Sequence, residues 1–224
     1  MELKNKSINF LGDSITAGYG TTGIEYRYDQ IIAKECDLKA ANNYGIGGTC
    51  IAYQWEPTIE EPVRDLYFCG RAARMDKNAD IILVFGGIND YLHGDAPIGT
   101  MDDKTPKTFC GAVFVLMQVL RKNYPNKTVA FLTPPHCNCW GTSDKEPSKN
   151  SRKRADALPV KAYVDIILRR AKEFGFPVLD LYRNLGIDPN IQSDKEKYTI
   201  DGLHLNNFGH AVLAQKVIEF LRAL

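Results

Sequence analysis

Four short stretches of this 224-residue chain hold side chains that could move a proton or stabilise a developing negative charge. In "FLGDSITAGYG" (residues 10–20), Ser14 follows Asp13 at the end of an apolar run, where a strand-to-helix turn would present its hydroxyl above a sheet edge. A serine hydroxyl is a poor nucleophile until a histidine takes its proton. That histidine in turn needs a carboxylate to fix its tautomer and stabilise the imidazolium. "DGLHLN" (residues 201–206) holds both partners: a three-residue offset on a turn can bring Asp201 to Nδ1 of His204 and leave Nε2 free to face Ser14. "NNYGIGGT" (residues 42–49) is a glycine-rich bend able to offer an unobstructed backbone N–H, and "FGGINDY" (residues 85–91) sets the Asn89 amide just past a strand. Donors of this kind suit an oxyanion, and removing one typically costs on the order of 3 kcal/mol of transition-state stabilisation.

Each stretch also has a plainer reading. Ser14 alone is a helix cap or turn residue, His204 an ordinary hydrogen-bonded histidine, Asp201-Gly202 a turn, Asn89-Asp90 a loop start and Gly47-Gly48 a bend. Two further chemistries compete. "GYGTTG" (residues 18–23) spells the G-x-G-x-x-G of dinucleotide sites, but there the first glycine ends the strand, whereas here the strand ends near Leu11. Those glycines are expected to serve loop flexibility. "HCNCW" (residues 136–140) resembles half a zinc site, yet no second paired cluster completes the four ligands a structural zinc requires. The expectation is no metal and no organic cofactor.

The elements that must position these residues alternate. Strands are expected at 7–12, 39–45, 80–87, 127–133 and 176–181, and helices at 25–36, 63–77, 107–123, 156–174 and 207–224. The strands are apolar on both faces rather than alternating, which implies a parallel sheet covered by helices on both sides. The expected fold is therefore a single α/β domain over 1–224, a flavodoxin-like three-layer α/β/α sandwich with a five-stranded parallel sheet. Residues 88–106, 134–154 and 182–203 read as long irregular loops that follow strands and gather at the carboxyl edge, where open parallel sheets bind ligands.

The composition excludes several classes. Hydrophobic content of 44%, charged content of 25% and a net charge of +1 are ordinary for a soluble protein, with no global attraction to nucleic acid or anionic membranes. No run is long enough to span a bilayer and no secretory leader is evident at the N-terminus, so the expected location is cytoplasmic, with the six cysteines reduced.

"GDSIT", "NNYGIGGT", "GGIND" and "DGLHLN", in this order, resemble the four sequence blocks of the SGNH hydrolases, also called the GDSL esterase/lipase family. The blocks span 12–206. The resemblance implies a flavodoxin-like fold and a two-step acyl-enzyme mechanism. It also implies Ser14 as nucleophile and, through its N–H, oxyanion donor; Gly48 (with Gly47 as a one-residue alternative) and Asn89 as further donors; His204 as base; and Asp201 as its orienting carboxylate. One departure is the extra residue in Gly86-Gly87-Ile88-Asn89, a spacing that also fits a G-x-N-D form of the block. Asp13 is expected to be a structural hydrogen-bonding residue.

The implied function is a carboxylic ester hydrolase acting on a small-molecule ester, with an acetyl or short-chain ester such as an O-acetylated sugar as the expected substrate. A lysophospholipase or thioesterase, an acyltransferase, and a non-catalytic carbohydrate-binding module are the alternatives. Tyr53, Trp55, Tyr91 and Trp140 fall in loops beside the blocks, where they could stack on a sugar or simply pack. His93 and His210 read as plain loop and helix histidines. "KNSRKR" (residues 149–154) reads as a solvated charge run that could hold an anionic group.

Overall fold

A strand covered on both faces leaves no side to solvent, and β1 (Ser7–Gly12, SINFLG) accordingly buries all six of its residues, as β3 (Ile81–Phe85, IILVF) buries all five. The computed structural model describes residues 1–150, 152–153 and 156–224. With β2 (Ala40–Gly45), β4 (Thr128–Leu132) and β7 (Val178–Leu179), these strands form one parallel sheet in the order β2-β1-β3-β4-β7. The chain steps one way from β1 to β2 and the other way from β1 to β3, so the order reverses at β1/β3, the position where doubly wound sheets open a crevice. Register fixes that crevice: Gly12 lies opposite Gly45 on one side and Phe85 on the other. Three chain segments therefore leave the sheet side by side.

Helices complete the outer layers of the α/β/α sandwich. α2 (Tyr28–Glu35) packs on α9 (Asn207–Ala223), while α5 (Phe109–Asn123) packs on α6 (Val160–Phe174). Thr108 starts α5 by accepting the Gly111 N–H, and Asn206 starts α9 by accepting those of Phe208 and Gly209, the side-chain caps that first-turn donors require. Gly175 ends α6 in the left-handed conformation. No helix among the described residues is long and apolar enough to cross a membrane.

Several expected elements differ. The helix expected over 63–77 is broken into a 3-10 turn (Pro62–Asp65), the short α3 (Phe68–Arg71) and a second 3-10 turn (Ala72–Arg74). Its residues are held from outside: the Phe68 N–H donates to Cys50 O and the Arg71 guanidinium to Gly12 O and Tyr44 O at the ends of β1 and β2 and to Thr49 Oγ1. The loop expected at 88–106 begins with α4 (Ile88–Leu92), whose five residues are all buried and so leave no amphipathic signature. The 134–154 loop carries a hairpin, β5 (Asn138–Cys139) with β6 (Thr142–Ser143). The segment 182–203 holds most of α7 (Leu181–Asn184) and all of α8 (Gln192–Tyr198).

His210 shows how α9 is fastened. It is fully buried, its Nδ1 accepts the Tyr28 N–H at 3.2 Å, and its ring stacks on Tyr28 at 6.0 Å. Burial pushes its pKa down to about 4, so it folds neutral. An unfolded histidine binds its proton near pH 6.5, so this contribution to stability is present above that pH and is lost as pH falls towards 4. His210→Asn keeps an acceptor for Tyr28 but cannot titrate. Between pH 6.5 and 4 its unfolding free energy, measured by urea denaturation, should drop less than the wild type's.

Candidate active site

Ser14 is the first residue of α1 (Ser14–Ala17), directly after β1. Asp13, not Ser14, caps this short helix: its Oδ1 accepts the Ile15 N–H at 3.0 Å. The serine side chain is thus free for another partner, and its N–H, at the first helical position, stands outside the helix's own ladder. That partner is His204, whose Nε2 lies 2.8 Å from Ser14 Oγ across 190 residues of sequence.

The histidine is aimed by its own loop. Asp201 Oδ1 accepts the N–H groups of Leu203 and His204 at 3.0 and 2.8 Å, which closes the turn, while Oδ2 meets His204 Nδ1 at 2.7 Å. A carboxylate at Nδ1 fixes the tautomer with the proton there, leaving Nε2 to accept from the serine. Burial pushes the Asp201 pKa up, but the His204 ring and two backbone N–H groups outweigh it and hold it below the usual carboxylate range. Gly202 makes the turn possible: its φ is +88°, and a Cβ there would overlap Asn138 O of the hairpin.

The turn after β2 lies close to Ser14, and Asn89 is bonded to that turn. Ile46–Thr49 forms a tight turn with Gly48 at φ +73°, and a Cβ on neighbouring Gly47 would sit 3.7 Å from Ser14 Cβ. The Asn89 amide donates to Thr49 O at 3.1 Å. An amide carries two N–H bonds, so one can be anchored while the other remains available. Asp90 ties the same loops together by accepting the N–H groups of Ile51 and Ala52 at 2.8 and 2.9 Å. Burial raises both Asp90 and Asp13 to about 6, each partly offset by the backbone N–H groups it accepts.

Two residues at this site were not singled out by sequence reasoning. Arg71 donates to Tyr44 O (2.5 Å), Gly12 O (2.8 Å) and Thr49 Oγ1 (2.8 Å), and so clamps the ends of β1 and β2 to the turn before Asn89's acceptor. Nothing local marks it, because it lies in a stretch that reads as an ordinary amphipathic helix. Tyr19 sets its ring edge-on to His204 at 4.5 Å. The glycines around it were the available signal. Gly20 has φ +100° and presses against the loop between α8 and α9, where a Cβ would overlap Leu205 O. The G-x-G-x-x-G spelling thus marks a close approach to the histidine loop.

The remaining candidates divide. Trp140 stands 6.3 Å from the His204 ring. Tyr91 is a fully buried core residue whose hydroxyl donates to Ser143 O and Glu146 O. Tyr53 and Trp55 pack on each other at 6.2 Å. His93 is half-buried and pushed down to about 4 by burial, with Arg64, Arg152 and Lys153 adding to the effect. The basic run divides: Lys149 stays exposed and pairs with Glu146, whereas Arg152 reaches Glu56 O and Asp95 and Lys153 donates to Asp90 O and Gly94 O. Ser151 and Arg154 of that run lie outside the described residues. Around "HCNCW", His136 is joined by Asp144 and Asp188 rather than by cysteine, with ligand-type atoms within 4.8 Å of one another. These three are knit by hydrogen bonds from His136 and Asn190, and Cys137 and Cys139 are buried. A concavity of about 870 Å³ lined by Phe114, Arg121 and Phe174 contains none of the residues of the Ser14 site.

A serine–histidine–aspartate relay at the switch point of a doubly wound sheet, beside a glycine-bearing turn to which the Asn89 amide is bonded, has the geometry of an acyl-transfer site. Residues 10–212 match the profile of the GDSL-like Lipase/Acylhydrolase family. The chain belongs to that family and is a carboxylic ester hydrolase. Among solved structures, a protein from Lactobacillus plantarum is 32% identical, with 98% of each chain covered and a TM-score of 0.82. The native aryl esterase of M. smegmatis is 16% identical over 98% of this chain and 99% of its own, with a TM-score of 0.68. A carbohydrate acetylesterase family member from Sinorhizobium meliloti is 18% identical over 97% and 98%, with a TM-score of 0.62. No curated protein matches the sequence significantly.

Because Gly20 needs both a left-handed backbone and the space of a missing Cβ, Gly20→Ala should destabilise the fold by about 1–3 kcal/mol. Ester hydrolysis should fall with it, since the displaced element is the backbone carrying His204. Urea denaturation and an esterase assay on the same preparation check both.

Proposed function

We propose that the chain hydrolyses acetyl and other short-chain esters through an acyl-Ser14 intermediate, with O-acetylated carbohydrate as the substrate class. The observation that carries this reading is the continuous relay from Ser14 Oγ to His204 Nε2 at 2.8 Å and from His204 Nδ1 to Asp201 at 2.7 Å. Ser14 Oγ attacks the acyl carbon while His204 Nε2 takes its proton. The negative charge on the former carbonyl oxygen is met by the N–H groups of Ser14 and Gly48 and by the Asn89 amide. As the tetrahedral species collapses, the ester C–O bond breaks and His204 hands the proton to the departing alcohol. Water, deprotonated by His204, then attacks the acyl-serine and releases the acid. Asp201 stays ionised throughout and stabilises the imidazolium.

The substrate reading is supported by the carbohydrate acetylesterase relative and by the exposed aromatic residues around the site. We place the chemistry in one catalytic domain, since the family match runs from residue 10 to 212, and in the cytoplasm, in keeping with six unpaired, buried cysteines. No cofactor is required by any of these steps.

A fluorophosphonate probe should label the wild type on Ser14 and leave Ser14→Ala unlabelled; persistent labelling of the variant would remove Ser14 from the mechanism. Asn89→Ala should lower kcat by about 100- to 1,000-fold with KM little changed, because its second N–H bond is made only to the oxyanion. Steady-state kinetics on an acetyl ester read this split, and a loss confined to KM would reassign Asn89 to ground-state binding.

A further inference from the structure

Two aromatic rings stand against the catalytic histidine without a part in the relay. Tyr19 reaches His204 from the loop after α1, with ring centroids 4.5 Å apart and planes at 67°. Trp140 reaches it from the tip of the β5–β6 hairpin, at 6.3 Å and 63°. Both remain open to solvent, Tyr19 at 59% and Trp140 at 67% exposure. Neither ring gains much from burial, so core packing does not account for their positions.

The backbone points the same way. Trp140 has φ +49° and Gly141 φ +74°, two consecutive left-handed residues joining strands two residues long. This is the turn geometry in which Asn-Gly is the favoured pair, and a bulky residue at the first position is an outlier. A strained, exposed tryptophan would be unfavourable in a hairpin serving only to connect. The hairpin is also firmly seated: the Asn138 N–H donates to Gly202 O at 2.9 Å, and Lys195 Nζ donates to Asn138 O at 2.9 Å. The hairpin that carries Trp140 is thus anchored to the turn that holds Asp201 and His204.

The reaction assigns a meaning to that side of the site. His204 delivers its proton to the departing alcohol, so the alkoxy half of the tetrahedral species lies against the histidine, while the carbonyl oxygen faces Gly48 and Asn89. Rings that flank His204 meet the alcohol, not the acyl group. We propose that Tyr19 and Trp140 form a leaving-group subsite for a pyranose ring. This rests on the reading of Ser14 and His204 as nucleophile and base. A pyranose has an apolar C–H face that packs on an aromatic ring and hydroxyls that are costly to desolvate. An open aromatic platform covers the first and leaves the second in water. An acyl chain or a fully apolar alcohol gains most from an enclosed pocket instead.

The test compares esters that share one acyl group. A mono-O-acetylated methyl pyranoside, ethyl acetate and phenyl acetate all give the same acetyl-enzyme, so differences in kcat/KM report the step in which the alcohol is still present. Trp140→Asn is the informative variant, because asparagine suits the left-handed turn and keeps the hairpin. It should lower kcat/KM for the pyranoside about tenfold or more, and for ethyl acetate by less than about twofold. Fluorophosphonate labelling of Ser14 should be unchanged, and Trp140→Tyr should recover part of the lost selectivity. Equal losses on all three esters, no loss on any, or a loss confined to phenyl acetate would overturn the subsite while leaving the serine mechanism intact. An unlabelled wild type would remove the mechanism, and the subsite with it.

Discussion

Gly12, Gly45 and Phe85 lie side by side in the parallel ladder, and this common ending of β1, β2 and β3 is the constraint on which the site depends. Each strand delivers a different group to one edge: Ser14 two residues after Gly12, the Ile46–Thr49 turn after Gly45, and Asn89 four residues after Phe85. A slip of one residue in either pairing would turn every side chain of a strand to the opposite face, where each would have to be refitted into a different close-packed layer. Arg71 adds a bond that the ladder alone does not supply, bridging Gly12 O, Tyr44 O and Thr49 Oγ1 where the strands end. The histidine arrives separately, on a loop that closes on its own carboxylate before α9 begins.

The site is costly to hold. Asp13 and Asp90 are both buried and both pushed up to about 6, so at neutral pH two carboxylates are ionised where the fold would favour them neutral. Among the described residues, Asp13 Oδ2 has no hydrogen-bond partner. Opposing this, Asp90 accepts two backbone N–H groups that fix the loop beside Asn89, and Arg71 stays close enough to favour the ionised Asp13. Stability given up around the proposed nucleophile is the usual consequence of preorganisation: donors and charges are fixed before the substrate arrives rather than reorganised by it.

Local chemistry was legible in the sequence, and long-range chemistry was legible only in combination. Asp201 and His204 are three residues apart, so their pairing follows from the turn between them. Ser14 lies 190 residues from His204, and its meaning came from its order among the other three blocks. β3 is plain because both of its faces are apolar, and β1 because its run is nearly so. α4 was missed for the same physical reason, since a helix buried all round has no polar stripe to reveal its period. The 63–77 segment misled because an amphipathic pattern says nothing of bonds made to distant carbonyls, and Arg71, whose bonds go to three other segments, has no local signature at all. Tyr19 and Gly20 lay inside a spelling that resembled a nucleotide loop; only the fold shows that the glycine's missing side chain makes room for Leu205 O.

If an acyl group passes through Ser14 as proposed, that intermediate can be trapped on the enzyme. Protein mixed with phenyl acetate, quenched with acid within the first turnovers and digested, should carry one acetyl group on the peptide containing Ser14. Steady release of acetate with that peptide unmodified, or with the acetyl group on another residue, would contradict the account.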